Sequence, residues 1–239
     1  MDLVEAAAWL RDATAELDPG PPVAYTYHPL SYAWRPHKAY LERYGGKKKA
    51  LLVGMNPGPW GMGQNGVPFG ERDLVRDWLG IGDETIERPS VMHEKRPVNG
   101  WDNTRSEQSG KRLWGYLKEH FGSADRALSD MLIVNHCPLL MFSADGKNIT
   151  PDKLRKAARE ELLSVCDEGL RRSAKAASAE LLIGIGAYAG DRCADIAASM
   201  GLAADRIPHP SPASPLANID NGSRWKAEVT RTLAAHGLV

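Results

Sequence analysis

Cysteine is scarce in this chain: Cys137, Cys166 and Cys193 are the only three, and no two stand in C-x-x-C spacing. That excludes a four-cysteine iron–sulfur cluster built from this chain alone and leaves zinc and disulfide readings without their usual spacing. No metal and no cofactor is expected. A sparse, odd count suits a reducing cytoplasm, and the expected location is cytoplasmic, the bacterial cytoplasm or nucleoid. Long hydrophobic runs are missing as well: nothing approaches the ~18 consecutive apolar residues of a membrane span. The segment 1–17 carries Asp2, Glu5, Arg11, Asp12 and Glu16 where a signal peptide would have a basic start and an apolar run. It reads instead as an amphipathic helix. There is no excess of either charge, with 30 basic and 30 acidic residues. The chain therefore lacks the broad basic footprint that phosphate attraction usually leaves, which weighs against nucleic-acid binding. Local runs remain at Lys47–Lys49 and at Arg88, Lys95 and Arg96. Each alone is more often a solvated surface than a nucleic-acid site, although a small local patch can serve where a broad one is missing. No internal repeat or low-complexity linker divides the 239 residues, so one domain over 1–239 is expected, long enough to bury a sizeable core.

What is present alternates between two periodicities. After the turn-rich DPGPP at 18–22, residues 36–44 look helical, with Pro36 suited to a first helical position. ALLVGM at 50–55, MLIVNH at 131–136 and ELLIGIG at 180–186 are short apolar runs of the kind that form buried strands, and a fourth strand is expected near 205–207. Helices are expected over 70–79, over 109–121 with Leu113, Trp114 and Leu117 on one face, from Thr150–Pro151 to about 176, and over 222–236. A long irregular stretch separates 79 from 108, and such stretches inside a compact domain are often functional. Strands alternating with helices predict an α/β fold: three layers, α/β/α, around a central, mostly parallel four-stranded sheet. Ligands of such sheets gather beyond the carboxyl ends of the strands.

Three loops fall there. The first, GMNPGPWGMGQNGVPFGE at 54–71, holds six glycines and three prolines. Glycine permits close backbone approach and proline fixes φ, so the loop is shaped and rigid. A generic Gly/Pro loop is usually a structural turn, but this one also carries Asn56, Gln64 and Phe69, and an amide with an aromatic ring suits a planar heterocycle. The second, IVNHCPLL at 133–140, puts Asn135 at a strand end. Its amide offers both a donor group and an acceptor group, which can match an imide edge. Alone, Asn135 would read as a cap or turn residue. His136 and Cys137 are neighbours and point to opposite faces of a strand, which argues against a dyad. The third, HPSPASPLAN at 209–218, stiffens the surroundings of His209 with Pro210, Pro212 and Pro215, and Ser211 can donate to a phosphate.

These segments, in this order and spacing, resemble the uracil-DNA glycosylase superfamily, and within it the single-strand-selective monofunctional uracil-DNA glycosylase family. The similarity runs from about Val23 nearly to the C-terminus and includes VRDWLGI at 75–81 and KNITP at 147–151. The resemblance implies hydrolysis of the N-glycosidic bond of uracil and 5-substituted uracils in single- and double-stranded DNA by a monomer, with the target base leaving the stack. Asn56 matches the residue that positions the attacking water. An amide cannot take a proton as a carboxylate would, so the implied transition state is dissociative. His209 matches the residue that hydrogen-bonds the departing base at O2. Asn135 matches the residue that reads the uracil edge, Phe69 the ring that stacks on it, and Met55 lines the same pocket. Gly58 stands where a uracil-only relative has a bulky ring, which implies room for 5-hydroxymethyluracil. Pro57, Pro59, Ser109, Gly110, Ser211, Pro212, Ala213 and Ser214 match the DNA-contacting loops. One departure concerns Ala213, which replaces an intercalating arginine of vertebrate members. Leu216 or residues near Ser109–Arg112 are the candidates to fill the vacated stack. No lysine stands out as a Schiff-base nucleophile, so no strand cleavage is expected.

Two other readings compete. GIGAYAG at 184–190 follows a strand and opens a helix, the setting of a phosphate-binding turn, and Asp205 lies downstream. Only about fifty residues follow it, too few for a dinucleotide domain, and close helix–strand packing is the simpler account of its glycines. The second is a DNA- or damaged-base-binding protein without catalysis, against which the presence of both Asn56 and His209 argues. Among lesions, deaminated purines (xanthine, hypoxanthine) stand beside the uracils.

Overall fold

A computed structural model describes residues 1–239. The chain opens with α1 (Leu3–Thr14), whose first turn is closed by a reciprocal capping box between Asp2 and Glu5. A short strand β1 (Tyr25–Tyr27), a helical turn α2 (Pro29–Tyr32) and α3 (Trp34–Tyr44) lead to β2 (Ala50–Gly54). Then follow the turn α4 (Met62–Asn65), α5 (Gln108–Phe121), the turn α6 (Ala124–Ala127) and β3 (Met131–Asn135). Strands β4 (Leu140–Phe142) and β5 (Asn148–Ile149) precede the long α7 (Lys156–Ala177). The chain ends β6 (Leu181–Ile185), α8 (Ala187–Met200), β7 (Ala203–Ile207), the turn α9 (Pro215–Asn218) and α10 (Ser223–Ala235).

The central sheet is four-stranded and parallel throughout, in the order β3-β2-β6-β7. With helices packed around it, this is the three-layer α/β/α architecture expected. Central β2 and β6 are buried at every position, which is why they read as unbroken apolar runs rather than as alternation. Leu51 and Leu52 of β2 pair with Leu132 and Ile133 on one side and with Leu182 and Ile183 on the other. A single cluster of 40 buried residues surrounds this sheet, with Trp114 and Trp225 among its largest members. From β2 the chain steps first to β3 on one side, and β6 and β7 then lie on the other. That reversal opens a crevice beyond the carboxyl ends of β2 and its neighbours.

Several local expectations need correction. A second sheet, antiparallel with order β1-β4-β5, was not predicted. Its strands are two or three residues long, too short to show a period. The segment 70–79 is helical over 72–78, but from Leu74 to Trp78 it is a π-helix, with Glu71 accepting from the Leu74 N–H. Pro36 sits at the third position of α3, which starts at Trp34. Thr150–Pro151 begins a 3-10 turn over Pro151–Lys153, and the helix proper starts at Lys156. The N-terminal helix stops at Thr14 and β7 begins two residues early, at Ala203. Lys48 is no DNA contact: its buried ammonium donates to the carbonyls of Leu128 and Ser129 at 2.5 and 3.0 Å.

Candidate active site

All three loops converge on one cavity of about 580 Å³. Its walls include Met55, Asn56, Pro57 and Gly58 from the loop after β2, Asn135 from the end of β3, and His209, Ser211, Ala213 and Ser214 from the loop after β7. Phe69 and Ser109 complete the predicted set, whereas Pro59, Gly110 and Pro212 do not line it. Four further residues line it that sequence reasoning did not single out: Met62, Glu107, Asn148 and Thr150.

The first loop is rigid because its polar groups are consumed internally. Gln64 is buried and donates to the carbonyls of Pro59 and Pro97 at 2.7 and 3.0 Å, while its own carbonyl accepts from the Asn99 N–H. It therefore holds the loop to the 79–108 stretch rather than facing a ligand. Asn65 bridges the turn by donating to the Gly70 carbonyl and accepting from the Val67 N–H. Phe69 is held at φ +54°, a left-handed conformation uncommon for a bulky residue. Its neighbours impose it: Trp114 donates to the Pro68 carbonyl at 3.2 Å, and the Glu71 N–H donates to the Phe69 carbonyl at 2.7 Å. Gly110 is part of the same device. A Cβ at Gly110 would lie 1.8 Å from the Phe69 carbonyl oxygen, so this glycine packs under the Phe69 turn. Strain retained in this way is typical of sites that must aim one side chain.

Phe69 and Asn135 meet at Gly54. A Cβ there would stand 2.3 Å from Asn135 Oδ1 and 2.7 Å from the Phe69 ring. Gly54 pairs directly with Asn135 across the parallel strands, which brings the first two loops together. Asn135 Nδ2 donates to Met62 Sδ at 3.1 Å. Thioether sulfur can only accept, so this contact sets the amide with its oxygen free. Asn135 Oδ1 is buried with no hydrogen-bond partner. Such an acceptor costs about 1–3 kcal/mol while empty, and it awaits a donor.

His209 closes the opposite side. Its ring lies 6.0 Å from that of Phe69, centroid to centroid. Nδ1 accepts from the Ser211 N–H at 3.1 Å, so in the neutral ring the proton sits on Nε2. Burial holds the imidazole pKa below its ordinary value, which favours that neutral form. The flanking carbonyls are clamped on both sides: Trp225 Nε1 donates to Pro208 at 2.7 Å and Arg112 donates to Pro210. Arg112 is thereby committed to the loop and does not project as a DNA probe. The glycines of GIGAYAG have packing roles. Gly184 admits the backbone of Ala189 and Gly190, and Gly186, at φ +89°, leaves room for the His209 side chain. This motif supports the site from below and forms no phosphate cradle of its own.

Asn56 stands between these walls. Its Nδ2 makes only long contacts to the carbonyls of Pro57 and Leu139, at 3.4 and 3.5 Å. They turn the amide nitrogen toward backbone oxygens and leave the carbonyl end to accept from a water. Glu107 lines the same cavity, with Oε2 2.5 Å from the point a Gly58 Cβ would occupy. Its other oxygen caps α5 by accepting from the Ser109 N–H at 3.2 Å. Burial raises its carboxyl pKa, and the bonds to Ser109 pull it partly back. Nothing local in the sequence signals Glu107, since glutamate is not a favoured helix cap. No cluster of three or more histidine, cysteine, aspartate or glutamate side chains is arranged to hold a metal ion.

Comparison with known proteins agrees with this arrangement. Residues 41–234 match the model of the uracil DNA glycosylase superfamily. The chain is 40% identical over 233 residues to the single-strand selective monofunctional uracil DNA glycosylase of Bos taurus, covering 96% of this chain and 84% of that one. It is 41% identical over 221 residues to the Rattus norvegicus protein of the same description, covering 91% and 78%. The crystal structure of wild-type Pedobacter heparinus SMUG2 has the same fold, with a TM-score of 0.68 at 15% identity over 98% of this chain and 99% of that one. On the strength of these matches and of the converging loops, the chain belongs to the single-strand selective monofunctional family of the uracil-DNA glycosylase superfamily.

Proposed function

We propose that this protein removes uracil and 5-substituted uracils from DNA by hydrolysing the N-glycosidic bond, without cutting the strand. It is a uracil-DNA glycosylase by its family. The finer reading rests on one observation above all: Asn135, whose buried Oδ1 has no partner, lines the same cavity as a histidine whose Nε2 carries the proton. Uracil supplies the complementary groups, a donor at N3 and acceptors at O2 and O4. Cytosine offers an acceptor at N3 and would leave Asn135 Oδ1 facing a lone pair.

In this reading the base turns out of the DNA, and Phe69 stacks on its face, a contact worth about 1–3 kcal/mol. His209 Nε2–H donates to O2 as negative charge gathers there, and one such donor contributes about 3 kcal/mol to the transition state. The bond breaks with the electron pair leaving on the base. Asn56 holds a water against the electron-poor sugar carbon, and the proton that water loses passes to solvent. Neutral His209 suits this role because its donor needs no prior protonation.

Ser211, Ala213, Ser214, Asn148 and Thr150 all line the cavity. Ala213 is exposed and offers no side chain to occupy the stack the base leaves. Duplex DNA should therefore be opened less readily than by relatives with a large residue there, giving faster cleavage of single strands. The test is a panel of single-lesion oligonucleotides (uracil, 5-hydroxymethyluracil, xanthine, hypoxanthine), single- and double-stranded, each followed by alkali. Cleavage of the uracils, faster in single strands, is expected. Intact uracil strands after prolonged incubation would refute the reading, and equal or faster duplex cleavage would refute the Ala213 argument.

A further inference from the structure

The uracil reading leaves one cavity residue without a task. Glu107 is a carboxylate in a site whose chemistry runs through amide and imidazole groups. Its side chain lies over two glycines: a Cβ at Gly58 would stand 2.5 Å from Oε2, and one at Gly61 would stand 2.8 Å from Cγ. Any larger residue at either position would displace it. Oε1 accepts from the Ser109 N–H, and the Ser109 hydroxyl also bonds the carboxylate, which still leaves it lone pairs to accept from a ligand.

The other contacts limit how a bound base can lie relative to Oε2. A uracil whose N3–H meets Asn135 Oδ1 and whose O2 meets His209 Nε2 turns its C5–C6 edge away from both. The Pro57–Gly58 turn is among the walls that can receive that edge, and Glu107 lies beside it. We propose that Glu107 determines specificity at the C5 edge, its carboxylate accepting a hydrogen bond from a hydroxyl carried on the 5-substituent and rejecting a methyl or an acidic group. The inference rests on the uracil reading above and adds to it the residue that sorts 5-substituents. The physical grounds are directional. A hydroxyl donates to a carboxylate in a strong, charge-assisted bond. A methyl removes water from the carboxylate and returns nothing. A second carboxylate at van der Waals distance repels it.

The test compares single-turnover cleavage of uracil, 5-hydroxymethyluracil and 5-carboxyuracil in otherwise identical single-stranded oligonucleotides at pH 8, for wild type, Glu107→Gln and Glu107→Asp. Gln keeps the length without the charge, and Asp keeps the charge but withdraws it from Gly58. Asp is also a favoured helix cap, so α5 stays capped in that variant. For Glu107→Gln, the 5-hydroxymethyluracil rate relative to uracil is expected to fall about tenfold, as a charged hydrogen bond becomes a neutral one, while the 5-carboxyuracil rate relative to uracil rises. Glu107→Asp should lower the first ratio without raising the second. A purely structural role would not move the two ratios in opposite directions. Ratios within threefold of wild type in both variants would overturn the proposal, as would parallel loss on all three substrates, which would assign Glu107 to the step they share. Failure of the wild-type chain to cleave uracil would instead overturn the glycosylase reading itself, and this inference with it.

Discussion

Replacing Asn135 with leucine, similar in shape but apolar, should cost the protein its activity and none of its stability. In the free protein, Asn135 Oδ1 is buried without a partner, and its amide nitrogen has only the sulfur of Met62. The unpaired acceptor costs about 1–3 kcal/mol, and the bond to sulfur returns less than about 1 kcal/mol. Asn135→Leu should thus leave stability unchanged or raise it by about 1 kcal/mol, which for a chain of this size moves Tm by about 2–4 °C. With substrate bound, the balance reverses. Two hydrogen bonds to the base disappear, and the imide N–H and carbonyl are buried against a methyl group. A loss near 3 kcal/mol corresponds to a fall of more than a hundredfold in the single-turnover rate. Thermal unfolding of the free protein and alkali-developed cleavage of a uracil oligonucleotide measure the two effects separately. A Tm lowered by 5 °C or more would make Asn135 a structural residue, and a rate within tenfold of wild type would remove it from recognition.

Asn56→Ala should abolish most cleavage while the variant still binds a uracil-containing strand, measurable by fluorescence anisotropy. His209→Ala should slow single-turnover cleavage roughly a hundredfold or more, and wild-type rates in both variants would refute the mechanism. Gly110→Ala would set a methyl 1.8 Å from the Phe69 carbonyl oxygen. Backbone cannot yield there, so cleavage and Tm should fall together, and an unchanged Tm would count against the Phe69 turn being held from below. Acid should destabilise the fold well above the carboxylate range. Burial holds His28 and His37 at about 4, against 6.5 when unfolded. The unfolded chain therefore takes up protons first as pH falls from 6.5, and each histidine costs about 3 kcal/mol of stability by pH 4. Glu107, raised by burial, opposes this only in part. Denaturant midpoints that stay flat between pH 6.5 and 4.5 would refute the buried-neutral assignment.

Much of the fold was legible in the sequence, because buried parallel strands leave a signal that needs no partner. ALLVG, MLIVN and LLIGI are apolar at nearly every position since both faces of each strand are covered, and their glycine- and proline-rich exits mark the carboxyl ends. Asn56, Phe69, Asn135 and His209 were likewise found in order along the chain, as loop residues that a rigid scaffold would present. Other features have no local signature. Strands of two or three residues exist only because β1, β4 and β5 pair with one another, and Gln64 looked like a ligand contact until its neighbours were known. The orphaned oxygen of Asn135, the tautomer of His209 and the carboxylate of Glu107 beside Gly58 arise from contacts between segments far apart in the chain. Composition and periodicity determined which stretches would be buried and which would form loops. Only the tertiary structure decided which polar atoms those loops leave unpaired around one cavity, because hydrogen-bond satisfaction belongs to the assembled chain and not to any stretch of it.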